Sequence, residues 1–228
     1  MIRVIVAGTN GRMSNRIAAL VEQASDLTLA ARIARTDSLS QRIDEGEVII
    51  DFTSPETSVQ LATAAVQKRR PLVIGTTGLT ADHMHTIRRA ASDIPIVFSP
   101  NMSLGVNVLF ALVNLATRTL GKEFAVEITE VHHVHKKDKP SGTAKRLLDV
   151  ILKHRGKNAE KQIPVHSLRQ GEVIGDHTVT FTSANEKITL AHHAGTRDIF
   201  AEGAIVAARW VIGKPPGFYD MSDVLGLK

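Results

Sequence analysis

Cysteine is absent from the sequence. No disulfide, thiolate metal site or cysteine nucleophile is therefore available, and the composition fits a reducing compartment. Aromatic residues make up only 4% of the chain, with one tryptophan and one tyrosine, too few for the stacking platforms that hold single-stranded nucleic acid. Long apolar runs are also lacking: none approaches the ~20 residues needed to span a bilayer. The opening "MIRVIVAG" runs into a glycine-containing turn and reads as a first strand rather than a signal peptide. The one dense basic run, Lys136, Lys137 and Lys139, is broken by Asp138 and followed by Pro-Ser-Gly, unlike an arm that binds nucleic acid. These absences predict a cytoplasmic protein that has neither a nucleic acid nor a membrane as partner.

What remains is an ordinary globular composition. The 228 residues are 43% hydrophobic and 22% charged, with a formal net charge of +5, which favours anionic partners; small phosphate- or carboxylate-bearing ligands suffice to explain it. The first hundred residues alternate short apolar runs ("IRVIVAG", "LTLAARIA", "EVIIDFT", "PLVIGTT", "IPIVFSP") with segments of helical spacing, one of them opened by Ser54-Pro55-Glu56. Strands buried on both faces and alternating with helices predict a parallel, doubly wound α/β sheet with right-handed crossovers. The second crossover has room for a short helix at best. After Ser99 the pattern changes to a long apolar helix, the strand "FAVEITEVHH", a helix from Ser141, and three runs ("IPVHSLR", "GDHTVTFTS", "EKITLAHHA") that read as an antiparallel meander. A last helix over Arg197 to Ile212 and a turn-rich tail complete the chain. The expected division is a dinucleotide-binding domain over 1–103 plus 197–228 and an inserted α+β domain over 104–196, without internal repeats.

"VAGTNGRMS" follows the first strand and opens the first helix, where backbone amides and the positive end of a helix dipole cradle a pyrophosphate. Gly8 and Gly11 supply the tight turn and close approach; the third glycine position of this fingerprint is Ser14. No Gly-Lys-Ser/Thr follows, which disfavours a P-loop. At the end of the second strand a Rossmann-type protein selective for NAD presents an acidic side chain to the ribose. Here Ala34 and Arg35 stand there, with Asp37 slightly late, and an arginine that can pair with a 2′-phosphate favours NADPH. The loops "GTTG", Gly75 to Gly78, and "SPNMSLG", Ser99 to Gly105, end the fourth and fifth strands, where ligands of open α/β sheets sit.

The stretch "EVHHVHKKDKPSGTA" gathers three histidines and three lysines. If the strand continues through it, His132 and Lys136 share one face and His133 and His135 the other. Pro140-Ser141-Gly142-Thr143 then starts a helix whose amides and hydroxyls form a carboxylate site, unless Ser141 is only an N-cap. A metal reading would join His133 and His135 to His192 or His193, but it leaves the lysines unexplained and sets fixed cations beside the ion. No metal is expected.

Taken together, "AGTNGRM", "DFTSPE", "VIGTTG", "NMSLGVN", "EITEVHHVHKKDKPSGTA", "GEVIGDHTVTF" and "GFYDMSDVLGL" resemble, in the same order, the 4-hydroxy-tetrahydrodipicolinate (dihydrodipicolinate) reductase family. The resemblance covers nearly the whole chain. It implies NAD(P)H-dependent reduction of a small cyclic dicarboxylate on the diaminopimelate route to lysine, with hydride added at ring C4 and protonation afterwards. NADPH would be the preferred donor and NADH an alternative, and the enzyme would be a homotetramer joined through the inserted, substrate-binding domain. By motif, His132 and Lys136 would be catalytic, and His133, Ser141, Gly142 and Thr143 would bind substrate. Gly8, Thr9, Asn10, Gly11, Arg12 and Met13 would hold the dinucleotide phosphates, with Arg35 at the adenosine ribose. Gly75, Thr76 and Thr77, with Ser99, Pro100, Asn101 and Met102, would line the nicotinamide. Ser14, Met102 and the short segment after Arg35 depart from the family pattern. Another NAD(P)-dependent oxidoreductase would need a different substrate motif in place of "KPSGTA", and a non-enzymatic sensor would be expected to have lost His132 or Lys136.

Overall fold

The chain's fold is described from a computed structural model covering residues 1–34 and 36–228. Two compact units emerge, Met1–Leu104 with Asp198–Lys228, and Gly105–Arg197.

In the first unit, β1 (Ile2–Ala7), β2 (Leu27–Ile33), β3 (Val48–Asp51), β4 (Leu72–Ile74) and β5 (Pro95–Phe98) alternate with α1 (Arg12–Gln23), α2 (Leu39–Arg42), α3 (Pro55–Lys68) and α4 (Ala81–Ala90). The unit's remaining elements, α7 (Asp198–Val211), β10 (Gly217–Tyr219) and α8 (Met221–Val224), follow the second unit in the chain. All pairings in the six-stranded sheet are parallel, in the order β10-β5-β4-β3-β1-β2. This is the doubly wound, Rossmann-like sheet that the alternation predicts. Val48, Ile49 and Ile50 of β3 are wholly buried, each side chain contributing roughly 1.5–3 kcal/mol. Two details differ from expectation. β2 is an edge strand and only partly buried, because among the described residues no strand pairs beyond it. The tail is more than turns: its three residues Gly217–Tyr219 add the sixth strand beside β5, too short to register as a periodic pattern.

Local chemistry sets the helix ends. Ser54 caps α3 by accepting from the Thr57 amide, with Pro55 in the first helical turn. α7 packs on the side of the sheet that also holds α1, and there Gly203 meets the main chain of Met102: a Cβ at 203 would lie 1.7 Å from the Met102 carbonyl oxygen. Gly203→Ala should therefore cost about 3 kcal/mol or more and lower the Tm by ~6–12 °C. An unchanged melting curve would show that the Met102 peptide yields at no cost.

The second unit contains α5 (Leu104–Leu120, whose first residue belongs to the other unit), β6 (Ala125–His132), α6 (Gly142–Arg155), β7 (Val165–Arg169), β8 (Asp176–Thr182) and β9 (Lys187–His193). Its mixed sheet has the order β7-β6-β8-β9. The expected meander of the last three strands is not what forms: β7 lies parallel on the far side of β6, and only β8 and β9 make an antiparallel pair that continues from β6. α6 supplies the crossover that a parallel neighbour requires, a partnership that strand periodicity does not encode. Even-numbered residues of β6 point into a core with Val113, Leu147, Ile151, Val179 and Phe181. Among the described residues, Leu104–Glu123 is one helical stretch long and apolar enough, by length and composition, to cross a membrane, where the sequence reading expects none. The excess arises because α5 and the turn after it run on as one helical length, and its Leu109 and Val113 pack in the core of this unit.

Candidate active site

Two clusters carry chemistry, one in each unit. In the first, the chain leaves β1 through Gly8, whose φ of +96° favours glycine, and enters α1 at Gly11. That N-cap has no side-chain hydrogen bond to the helix amides, which leaves the first turn suited to an anion. A Cβ at Gly8 or Gly11 would come within 3.1 or 2.9 Å of the Ser14 hydroxyl. Ser14 itself is buried and donates to the Gly11 carbonyl at 3.0 Å, so serine at the third position tightens the turn from within. Asn10, Gly11 and Arg12 are exposed, and Gly8, Thr9 and Met13 half-buried. A bare, glycine-capped helix start after the first strand fits a dinucleotide pyrophosphate. Arg35 lies outside the described residues. Close by, Asp37 accepts from the Ala34 amide at 2.9 Å and pairs with Arg42 at 3.5 Å, so the acidic group near the end of β2 is already engaged within the protein.

Sequence reasoning missed Arg32, which reaches from β2 to the phosphate-loop side and donates to the Thr9 carbonyl at 2.7 Å and the Gly8 carbonyl at 3.3 Å. It also missed Asp51. That wholly buried carboxylate receives the Thr53 amide at 3.0 Å, the Thr76 hydroxyl at 3.1 Å and the hydroxyls of Thr53 and Ser58. Burial pushes its pKa up, against these hydrogen bonds. Asp51 thus ties together the loops after β3 and β4. A charged residue ending the apolar run "VIID" is the signal that could have found it. Of the candidates that follow, Gly75, Thr76, Ser99 and Met102 are buried, Asn101 is half-buried, and Thr77 and Pro100 are exposed. The Ser99 hydroxyl donates to the Asn101 carbonyl at 2.7 Å, shaping that loop.

The second cluster lies at the end of β6. The strand stops at His132, and His133 to Lys136 form a turn closed by the Lys136 amide on the His133 carbonyl at 3.1 Å. Lys136 therefore does not share a strand face with His132, as the period-two reading expects; a lysine-rich, proline-ended segment turns instead of extending. Strand geometry acts earlier, placing Glu130 and His132 on the same buried face. The Glu130 carboxylate contacts His132 Nδ1 and accepts the Ser141 amide at 3.2 Å. From the neighbouring strand, Arg169 donates to both Glu130 oxygens at 3.0–3.1 Å. Burial raises the Glu130 pKa, but hydrogen bonds from Ser167, His132 and Arg169 outweigh it and hold the carboxyl below its usual range. His132 moves down, first through burial, with Lys136 and Arg169 adding to the effect and Glu130 opposing it. An anionic Glu130 is the acceptor for the Nδ1–H tautomer of neutral His132, in which Nε2 is the nitrogen that exchanges protons. A Cβ at Gly175 would lie 3.0 Å from that Nε2, so a side chain there would crowd it.

Behind His132 stands His177, 5.1 Å away edge-on and buried. Burial lowers its pKa to about 4, with the charge of His132 adding to the shift, so it is neutral at pH 7. The Ser141 hydroxyl joins His177 Nε2 at 3.0 Å and caps α6 by accepting the Ala144 amide at 3.1 Å. Ser141 is thus buried, with both functions of its hydroxyl engaged, whereas Gly142 is exposed and Thr143 half-buried at the first turn of α6. His133 is half-buried, and Lys136 pairs with Asp138 at 2.9 Å. Glu130, Arg169, Gly175 and His177 all escaped the sequence reading. Only Glu130, two residues before His132 on a strand, carried a local signal. Among the described residues no group of three or more histidine and acidic side chains is arranged to hold a metal.

A buried carboxylate–imidazole pair beside a helix N-terminus, together with a dinucleotide-type sheet, suits reduction of an anionic small molecule. Comparison with known proteins agrees. The sequence profile "Dihydrodipicolinate reductase, N-terminus" matches residues 2–102, and "Dihydrodipicolinate reductase, C-terminus" matches residues 105–225. The chain belongs to the dihydrodipicolinate reductase family. Two relatives, both named 4-hydroxy-tetrahydrodipicolinate reductase, come from Syntrophus aciditrophicus, 39% identical with all of both chains covered, and Anaeromyxobacter dehalogenans strain 2CP-1, 40% identical with 100% of this chain and 99% of that one covered. These alignments run over 267 positions against 228 residues here, so these reductases carry residues without a counterpart in this shorter family member. The dipicolinate-bound dihydrodipicolinate reductase of Paenisporosarcina sp. TG-14 shares the fold, with a TM-score of 0.85 at 23% identity over 96% of this chain and 97% of that one.

Proposed function

We propose that this member of the family reduces 4-hydroxy-tetrahydrodipicolinate to tetrahydrodipicolinate on the diaminopimelate route to lysine, and that it takes NADPH in preference to NADH. The observation that carries the reading is the His132 imidazole, held through Nδ1 by a buried carboxylate next to the start of α6. The dinucleotide, when bound, would supply a hydride for C4 of the conjugated ring imine that forms as the 4-hydroxyl leaves as water. Everything else falls to the chain's own groups. The amides and hydroxyl at Gly142 and Thr143, with His133, bind the substrate carboxylates, and Ser141 contributes by fixing the turn that presents them. His132 Nε2 exchanges the proton that completes reduction at C3. Lys136 is the second proton donor and stabilises negative charge as it develops toward the ring nitrogen and C2 carboxylate. The turn from Gly8 to Met13 holds the pyrophosphate, and the loops at Gly75 to Thr77 and Ser99 to Met102 shape the nicotinamide end, with Thr77, Pro100 and Asn101 offering its accessible surface.

The NADPH preference rests on Arg35 following Ala34 and on Asp37 being turned inward onto the Ala34 amide and Arg42. The enzyme works in the cytoplasm, where reduced dinucleotide is regenerated. It is a homotetramer joined through the second unit's sheet, whose outer face is exposed at Glu127, Leu168, Thr182, Thr189 and Ala191 and offers unpaired edges. Initial rates of reduced-nicotinamide oxidation, measured with fresh substrate and each dinucleotide, test the proposal. Substrate-dependent oxidation is expected, with kcat/KM about tenfold higher for NADPH, the scale of one charge-assisted contact. A ratio of one would remove Arg35 from phosphate recognition. No oxidation by folded protein that binds NADPH would remove the activity itself.

A further inference from the structure

Arg169 has more partners than an ion pair needs. Its guanidinium donates to both oxygens of Glu130, and it also donates to the carbonyls of Lys136 at 3.1 Å, Asp138 at 2.5 Å and Leu168 at 2.6 Å. The group is 9% exposed and Glu130 is wholly buried. A solvated arginine that merely balanced a carboxylate would leave the loop alone. Here one planar fork fixes two things at once. Through Glu130 it sets the His132 ring, since Glu130 takes Nδ1, and it sets the start of α6, since Glu130 also takes the Ser141 amide. Through the two loop carbonyls it sets the course of the turn that carries Lys136. The pairing of β6 with β7 makes this reachable, because Arg169 lies directly opposite His132 in the parallel register.

We propose that Arg169 and Glu130 are positioning residues of the reduction: Arg169 holds the Glu130 carboxylate and the Lys136 loop in one arrangement, and Glu130 fixes the tautomer and direction of the His132 imidazole. The inference rests on the proposed roles of His132 and Lys136 and adds the two residues that orient them. Lysine cannot replace Arg169, because a point charge cannot hold a carboxylate with two nitrogens and reach two carbonyls at the same time. Removing either partner outright leaves a buried charge unpaired, so turnover is read in the conservative Arg169→Lys, and the charge-removing variants are read by the His132 titration alone.

The groups facing His132 are Glu130 on its own strand, Lys136 on the loop, Arg169 on β7, His177 on β8 and the N-terminal end of α6. Their charges give opposite expectations for the two partners. Glu130→Gln removes an anion that favours imidazolium, so His132 should titrate lower, by about one pH unit. Arg169→Met removes a cation that disfavours it, so His132 should titrate higher. Arg169→Lys keeps the charge, leaves the titration near wild type, and disturbs geometry alone.

The experiment uses the full chain and two readouts. Long-range proton–nitrogen NMR of His132, without substrate, reports its tautomer and titration, and steady-state rates report kcat and both KM values. In wild type the Nδ1–H tautomer should dominate. Arg169→Lys should lower kcat about tenfold or more, as misplacement of catalytic groups does, with the dinucleotide KM within about twofold of wild type on the same reasoning and the Nδ1–H preference reduced. Glu130→Gln and Arg169→Met should shift the titration in opposite directions. Wild-type kcat and tautomer in Arg169→Lys would overturn the proposal, as would shifts of the same sign in the other two variants. The NMR arm does not depend on turnover. If wild type proves inactive on the proposed substrate, the functional reading fails, while the tautomer and opposed shifts still decide whether this pair orients His132.

Discussion

Replacing His132 by alanine is expected to lower kcat by about 10²-fold or more, the usual share of general acid–base catalysis, while leaving dinucleotide binding unchanged. The ring is anchored through Nδ1, and Gly175 sets no side chain against Nε2, which leaves that nitrogen as the one that would move a proton. Burial holds its pKa below the ordinary 6.5, against the pull of Glu130. The sign of the pH effect follows. If protonated His132 is the donor, wild-type turnover is highest on the acid side and falls as pH rises through that lowered pKa. In His132→Ala this limb should vanish, and added imidazole should restore part of the rate. A wild-type rate in the variant would remove His132 from the mechanism. A limb that persists unchanged would assign the titration to another group.

The doubly wound sheet was legible because its strands are continuous apolar runs separated by helical spacing, and fully buried parallel strands leave that trace. Partnership between strands leaves none. "VHSLR" reads identically as the first strand of a meander or as a parallel neighbour of β6, and only the second choice brings Arg169 opposite His132. Much of the candidate site was therefore hidden for a topological reason. Glu130, His132, Arg169 and His177 come from three adjacent strands, and two of the three contribute a single ionisable group each. Asp51 and Arg32 were hidden differently, as polar residues within strands where the periodic reading looks for apolar ones. The motif residues, by contrast, stood out because they cluster in sequence. Clustering misled in one respect: it suggested a strand running on to Lys136, whereas the chain turns after His132 and the lysine is held by its loop.

That loop geometry makes Lys136→Ala the second large effect. The Lys136 ammonium lies 2.9 Å from Asp138, with 23% of its side chain exposed, so it is part-sheltered and already in contact with a carboxylate, the kind of group that its proposed role has it bind on the substrate. Removing it should lower kcat about 10²-fold, by loss of a proton donor and of charge stabilisation. The substrate KM should rise about tenfold, by loss of one charged hydrogen bond. Breaking the pair with Asp138 is a competing cause, and Asp138→Asn separates the two. Hydrogen bonding from Lys136 holds the Asp138 carboxyl below its ordinary range, so asparagine there frees the ammonium for substrate. If Lys136 acts on the ligand, the Asp138 variant should keep or lower the substrate KM while Lys136→Ala raises it. If both variants lose activity in parallel, the ion pair is what matters and the lysine only shapes the loop. An unchanged KM in Lys136→Ala would likewise take it away from the carboxylate, leaving that task to His133 and the first turn of α6.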